Sequence, residues 1–122
     1  MLEVYAGELL AEGYGRLVRL AEMFPDLTIV LNHCGSPIGP RLLSTPALVS
    51  QWKAGIVAVA AAGKKNVVCK VGGIQMAMNG FGWDMEAGAA APPSSDALAK
   101  ATLPYYAHCL DAFGERRAAL SR

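Results

Sequence analysis

The sequence predicts an α/β fold in which parallel strands are covered by helices. Two short β-forming runs, 27–33 and 66–71, each end at a glycine-bearing turn, and amphipathic helical segments precede and separate them. A chain that is 53% hydrophobic and only 17% charged suits strands covered on both faces.

Each element follows from local chemistry. Leu2-Glu3-Val4-Tyr5 alternates and reads as the tail of a strand. From about Ala6 to Phe24 the residues Leu9, Leu10, Tyr14, Leu17, Leu20, Ala21 and Phe24 recur at helical spacing; Gly13 and Gly15 weaken this helix and Pro25 ends it. After a two-residue turn a strand runs from Leu27 to about His33, with the histidine as its last residue. Ser44 or Thr45 caps a helix from about Pro46 to Ala62, whose apolar face is Leu48, Trp52, Ile56, Val59 and Ala60, and Gly63 closes it.

The second strand is Asn66 to Val71. Gly72-Gly73 then opens a loop over residues 72–93, a length often found in binding segments or lids. Ser94-Ser95-Asp96 is a strong helix cap. Pro104 lacks the amide a helix interior needs, so the expectation is a short helix to about Thr102 and a second from Pro104 to Phe113, ended by Gly114. No repeat or domain boundary is visible, so residues 1–122 read as one domain.

Composition excludes several function classes. A net charge of +1 with scattered basic residues gives no nucleic-acid footprint, and the close pairs Lys64-Lys65 and Arg116-Arg117 read as solvated helix ends. Met1-Leu2-Glu3-Val4 has no basic n-region, and the alanine-rich run 54–62 is too short to span a membrane, so the cytoplasm is the expected location. Cysteines 34, 69 and 109 form an odd set without a CxxC pair; reduced thiols acting as small core residues are expected.

Strand periodicity sorts the candidate site residues. Ile29, Leu31 and His33 would share one face, and Thr28, Val30, Asn32 and Cys34 the other, so His33 and Cys34 could not both ligate one metal. His33 is assigned to the open end of the fold, within reach of a substrate or divalent ion. Lys70 shares a face with Val68 and Gly72; an unpaired ammonium under the helices would be costly, so Lys70 is expected at the mouth, holding an anionic group. Gly72 and Gly73 allow close approach of a ligand. In the loop, Met76, Met78, Phe81 and Trp83 form either a substrate-facing wall or a patch folded back on the body. Asp84 and Glu86 read as solvated acids, and His108 as a packing residue.

Three groups of residues, taken in order, resemble the amidohydrolase-related family: Pro25-Asp26-Leu27-Thr28 through Asn32-His33-Cys34-Gly35-Ser36-Pro37, then Asn66-Val67-Val68-Cys69-Lys70-Val71-Gly72-Gly73, then Phe113-Gly114 with Arg116 or Arg117. The likeness covers roughly residues 17–117 and is greatest to the branch with sugar-lactone and pyrone-dicarboxylate lactonases. It implies a TIM-type (β/α)8 barrel, yet such a barrel takes at least ~200 residues. The 122 residues here amount to a partial TIM barrel, about half of one, with parallel strands and covering helices.

The resemblance further implies hydrolysis of a lactone, amide or similar carbonyl compound by activated water at the carboxyl-terminal mouth of the barrel. The implied substrate is a small lactone or carboxylated ring compound. His33 matches the family's His-x-Gly histidine, as metal ligand or carbonyl polariser. The residues themselves add Lys70, holding an anionic group or bridging to a carboxylated partner, and Gly72, Gly73 and Trp83 as substrate contacts. A divalent cation such as Zn is implied for the full-length protein, although some lactonases of this branch work without metal. The His-x-His pair and strand-end acid that the family uses have no counterpart here, so this chain alone is expected to be inactive and to bind no metal tightly. The alternative is a non-catalytic truncated half-barrel, a remnant or gene-boundary product, that forms homo-oligomers through its exposed strand edges.

Overall fold

The computed structural model describes residues 1–5, 10–39, 45–83 and 92–120. Four strands, β1 (Leu2–Val4), β2 (Ile29–Leu31), β3 (Val67–Val71) and β4 (Ala118–Leu120), alternate with three helices, α1 (Leu10–Met23), α2 (Pro46–Ala62) and α3 (Ser95–Phe113). The strands form one sheet in the order β1-β2-β3-β4, and every neighbouring pair is parallel. A doubly wound sheet reverses its strand order at a switch point; a barrel adds each new strand on the same side of the last. The sequential order therefore identifies this sheet as about half of a TIM-type barrel.

Burial along the strands divides the sheet into two faces. Ile29, Leu31, Val67, Cys69 and Val71 are enclosed and join Tyr14, Leu17 and Ala21 of α1, Trp52, Ile56, Val59 and Ala60 of α2, and Cys109 and Phe113 of α3 in one core. The alternate residues Val30, Val68 and Lys70 are only half-buried, and Glu3 is exposed. They line the opposite face, which no described helix covers and which corresponds to a barrel lumen. Among the described residues no helix is long and apolar enough to cross a membrane.

The helix ends are secured as their sequences require, with one exchange between elements. Thr45 caps α2 by accepting from the Leu48 amide, and Ser94 caps α3 by accepting from the Ala97 amide, each at 3.2 Å. Ser44 and the expected start of α1 near Ala6 lie outside the described residues. The last carbonyls of α1 are taken by Asn66 Nδ2, which donates to Ala21 O and Phe24 O. Arg117 departs from the solvated role its sequence suggests. It is half-buried over the Phe113 ring and donates to Ala60 O and Gly63 O, so it caps α2, a helix distant in sequence.

Two sequence expectations are corrected, and one strand is added. The helix does not break at Pro104, for α3 continues from Ser95 to Phe113. Leu103 and Pro104 face solvent, so water can satisfy the carbonyl that proline leaves free, while Thr102, Cys109 and Phe113 bind the helix to the core. The segment 118–120, for which the sequence predicts no element, is the fourth strand; its short Ala-Ala-Leu run carries little β signal, and pairing with Cys69–Val71 imposes the conformation. The first clear strand ends at Leu31 rather than His33, because His33 turns to φ +46, outside the extended region.

Candidate active site

Beyond Leu31 the chain makes a left-handed turn at the carboxyl end of β2. Asn32 is still extended, and then His33, Cys34, Gly35 and Ser36 all adopt positive φ, at 46°, 55°, 69° and 54°. For a non-glycine residue such a conformation costs on the order of 1–2 kcal/mol. Three of these four carry side chains, so the rest of the fold must impose the turn.

The imposing contacts account for every carbonyl from Asn32 to Gly35. The Gly35 amide donates to Asn32 O at 2.8 Å and the Ser36 amide to His33 O at 2.9 Å, which closes the turn on itself. Trp52 Nε1 of α2 donates to Cys34 O at 2.9 Å, and the Tyr14 hydroxyl of α1 donates to Gly35 O at 2.8 Å. Burial pushes the Tyr14 phenol well above its ordinary range, with the nearby thiols adding to the shift, so it remains a donor throughout the neutral range. A side chain at Gly35 would place its Cβ 2.7 Å from that hydroxyl.

This turn lays the His33 ring across the end of β3. His33 Nδ1 lies 3.2 Å from Gly72 O, and the ring sits 5.6 Å from that of Tyr5, tilted by 36°. A carbonyl oxygen can only accept, so Nδ1 is the donor, and in the neutral ring the lone pair lies on Nε2. Gly72 and Gly73 have φ of 121° and 73°, and any Cβ at Gly73 would fall on the imidazole. The glycine pair is thus the floor beneath His33.

Strand register places the neighbours. Leu31 pairs with Val4 and with Cys69, so one residue further Tyr5, Asn32 and Lys70 stand level, above Glu3, Val30 and Val68 on the uncovered face. Asn32 Nδ2 donates to Glu3 Oε2 at 3.0 Å. A carboxylate accepts only, which fixes the amide with Oδ1 turned away, and that oxygen is buried without a partner among the described residues.

The strand-face argument for His33 is corrected here. Ile29 and Leu31 point into the helix-covered core, and His33 reaches the mouth through the left-handed turn instead of by alternation. Cys34 leaves the strand in the same turn and enters the core. His33, Gly72 and Gly73 meet, and Lys70 lies on the same mouth one strand away. Trp83 belongs to a different group: it stacks on Phe81 at 5.2 Å, and Phe81 meets Tyr105 of α3 edge-on at 5.6 Å. Asp84 and Glu86 lie outside the described residues. His108 packs on Trp52, 5.2 Å between ring centroids, with Nε2 donating to Lys53 O at 3.1 Å.

Glu3, Tyr5 and Asn32 are site neighbours that the strand-end motif alone did not single out. The alternation Leu2-Glu3-Val4-Tyr5 already sets Glu3 and Tyr5 on one face. The described residues contain no group of three His, Cys, Asp or Glu side chains arranged to hold a metal ion. His33 Nε2 could serve as a single ligand, short of the three protein ligands that a catalytic zinc usually has.

A family model described as amidohydrolase matches residues 16–120, most of the chain. No curated protein and no solved structure matches it.

Proposed function

Because the chain belongs to the amidohydrolase family, we propose that it provides the His33-bearing part of a hydrolase site that attacks a lactone, amide or similar carbonyl compound with activated water. The supporting observation is the fixed imidazole: Nδ1 is committed to Gly72 O, which leaves the Nε2 lone pair at the carboxyl end of parallel strands. In this reading Nε2 takes a proton from the attacking water or polarises the carbonyl. Lys70, on the same mouth, holds an anionic group of the substrate such as a ring carboxylate. Gly72 and Gly73 let the substrate approach the backbone.

A divalent cation would supply Lewis-acid polarisation of the carbonyl and a more acidic water. The donor set described here does not complete a site for it, so no step is assigned to metal on this chain. We infer that the chain by itself holds no stoichiometric zinc and is catalytically silent. Metal analysis of chelator-washed protein, with a lactone assay at added zinc, tests this; one zinc per chain with His33-dependent turnover would overturn it.

The decisive experiment supplies the remaining barrel strands in one polypeptide and replaces His33 by Ala. Lactone hydrolysis should fall by at least about a hundredfold. Near-normal turnover would remove His33 from the site. A second reading, a non-catalytic half-barrel that self-associates, draws support from the uncovered face of Glu3, Val30, Val68 and Lys70 and from the outer edges of β1 and β4. Concentration-dependent sedimentation with no turnover in the completed barrel would favour it.

A further inference from the structure

Asn79 and Gly80 form the only Asn-Gly dipeptide of the chain; the other asparagines, Asn32 and Asn66, precede His33 and Val67. In an Asn-Gly pair no side chain hinders the glycine nitrogen from attacking the asparagine Cγ, which makes this the dipeptide most open to deamidation. Here both residues are buried, Asn79 with 3% exposure, although Ala77 and Met78 just before them are exposed. They lie in the loop that opens at Gly72-Gly73, and the hydrolase reading gives them no role.

The fold holds both nitrogens that the reaction needs. Asn79 Nδ2, the nitrogen that would leave, donates to Ile74 O at 3.1 Å. The Gly80 amide, which would attack, donates to Ala77 O at 2.9 Å and so closes a short 3-10 turn over Ala77–Asn79. Ring closure needs the Asn79–Gly80 peptide rotated well out of the helical range, so this turn keeps the nucleophile off Cγ. A third bond ties the pair to the site: Asn79 O accepts the Gly39 amide at 2.6 Å, and a Cβ added at Gly39 would lie 2.7 Å from Asn79 O and from the Gly80 carbonyl carbon. Gly39 is three residues beyond Ser36, where the left-handed turn ends. The contact therefore joins the loop after β3 to the segment that follows the His33 turn.

We propose that Asn79-Gly80 is a latent modification site: it deamidates only when the 74–80 segment opens away from Gly39, and the product keeps that segment from closing again. In the open state the Gly80 nitrogen gives its proton to solvent base and attacks Asn79 Cγ. The new N–Cγ bond forms, the Cγ–Nδ2 bond breaks, and Nδ2 takes up a proton and leaves as ammonia. Water then adds to one of the two carbonyls of the succinimide ring and opens it, which leaves aspartate or isoaspartate at position 79. One water is consumed and one ammonia released, with no change of oxidation state. Aspartate has no hydrogen for Ile74 O, and closing the loop would bury its charge against that carbonyl without a partner. Isoaspartate adds a methylene to the backbone and takes the Gly80 amide out of register with Ala77 O. Each product thus makes a local opening permanent.

The test incubates the folded chain and the urea-unfolded chain in the same mildly alkaline buffer and follows aspartate and isoaspartate at each asparagine by peptide mapping and mass spectrometry. The unfolded chain should convert at Asn79 first, and the folded chain at least about tenfold more slowly at that position. Asn79→Asp, which stands in for one product, should exchange the Gly39 and Gly80 amides with solvent at least about tenfold faster, while those of Val67–Val71 in β3 keep their protection. If that variant does not fold, exchange is measured on converted chains separated by their added negative charge from a partly converted folded sample. Equal rates in the folded and unfolded chain would overturn the proposal. So would conversion of Asn32 or Asn66 ahead of Asn79 in the unfolded chain, or a converted chain in which Gly39 and Gly80 exchange as slowly as before.

Discussion

Replacing Gly73 by Ala tests whether the glycine floor sets the position of His33. The backbone there has φ +73, which costs a side-chain-bearing residue about 1–2 kcal/mol. The new Cβ would also fall on the His33 imidazole, so the ring must leave, giving up the Nδ1 bond to Gly72 O, a further contribution of about 1 kcal/mol. Urea unfolding should therefore show a loss of about 2–3 kcal/mol. Gly114→Ala is a reference free of any clash: nothing lies within 4 Å of the added Cβ, and its backbone, at φ 72 and ψ 162, lies in a region essentially confined to glycine, so it carries backbone strain alone, about 1–3 kcal/mol. Stability does not separate the two variants, but the imidazole does. Ring resonances of His33 should shift strongly in Gly73→Ala and stay in place in Gly114→Ala. Unmoved His33 signals in Gly73→Ala, or equal shifts in both, would refute the placement of the ring over Gly73.

Two further outcomes follow from the helices. Gly15 is exposed within α1 and nothing lies within 4 Å of an added Cβ, so Gly15→Ala should raise stability by about 0.5–1 kcal/mol in urea unfolding. Tyr14 is pushed above its ordinary value of 10.0 by burial, so the unfolded chain ionises first as pH rises. Its contribution is fully present below pH 10 and is lost above it at about 1.4 kcal/mol per pH unit, because the unfolded state then binds fewer protons than the folded one. Tyr14→Phe should show a shallower alkaline loss in unfolding curves from pH 9 to 12; identical slopes would mean the phenol ionises without unfolding.

Local pattern made the main helices and two strands legible because each rests on short-range chemistry: Thr45 and Ser94 as caps, Gly63 and Gly114 as stops, Val and Ile in the strands. Elements whose conformation is imposed by partners were not. Ala118–Leu120 becomes a strand by pairing with β3, and α3 passes through Pro104 because its flanking residues are bound to the core. The candidate site divides in the same way. His33 and the glycine pair stood out in the sequence, but a period of two could not foresee four positive φ values in succession, and the faces assigned to His33 and Cys34 failed for that reason. Arg117, which caps α2 across 54 and 57 residues of sequence, is a long-range outcome that no local pattern encodes.

The left-handed turn also bears on the order in which the protein acquires its parts. Nothing within residues 32–36 favours that conformation except Gly35, and its outward supports come from α1, α2 and β3, so it has no stable form until those elements have docked. The turn belongs to the late side of the folding barrier: substitutions within it should speed unfolding and leave the folding rate nearly unchanged. The imidazole would then be the last group to reach its place and, under mild destabilisation, the first to lose it. Chemistry at this mouth becomes a measure of complete folding.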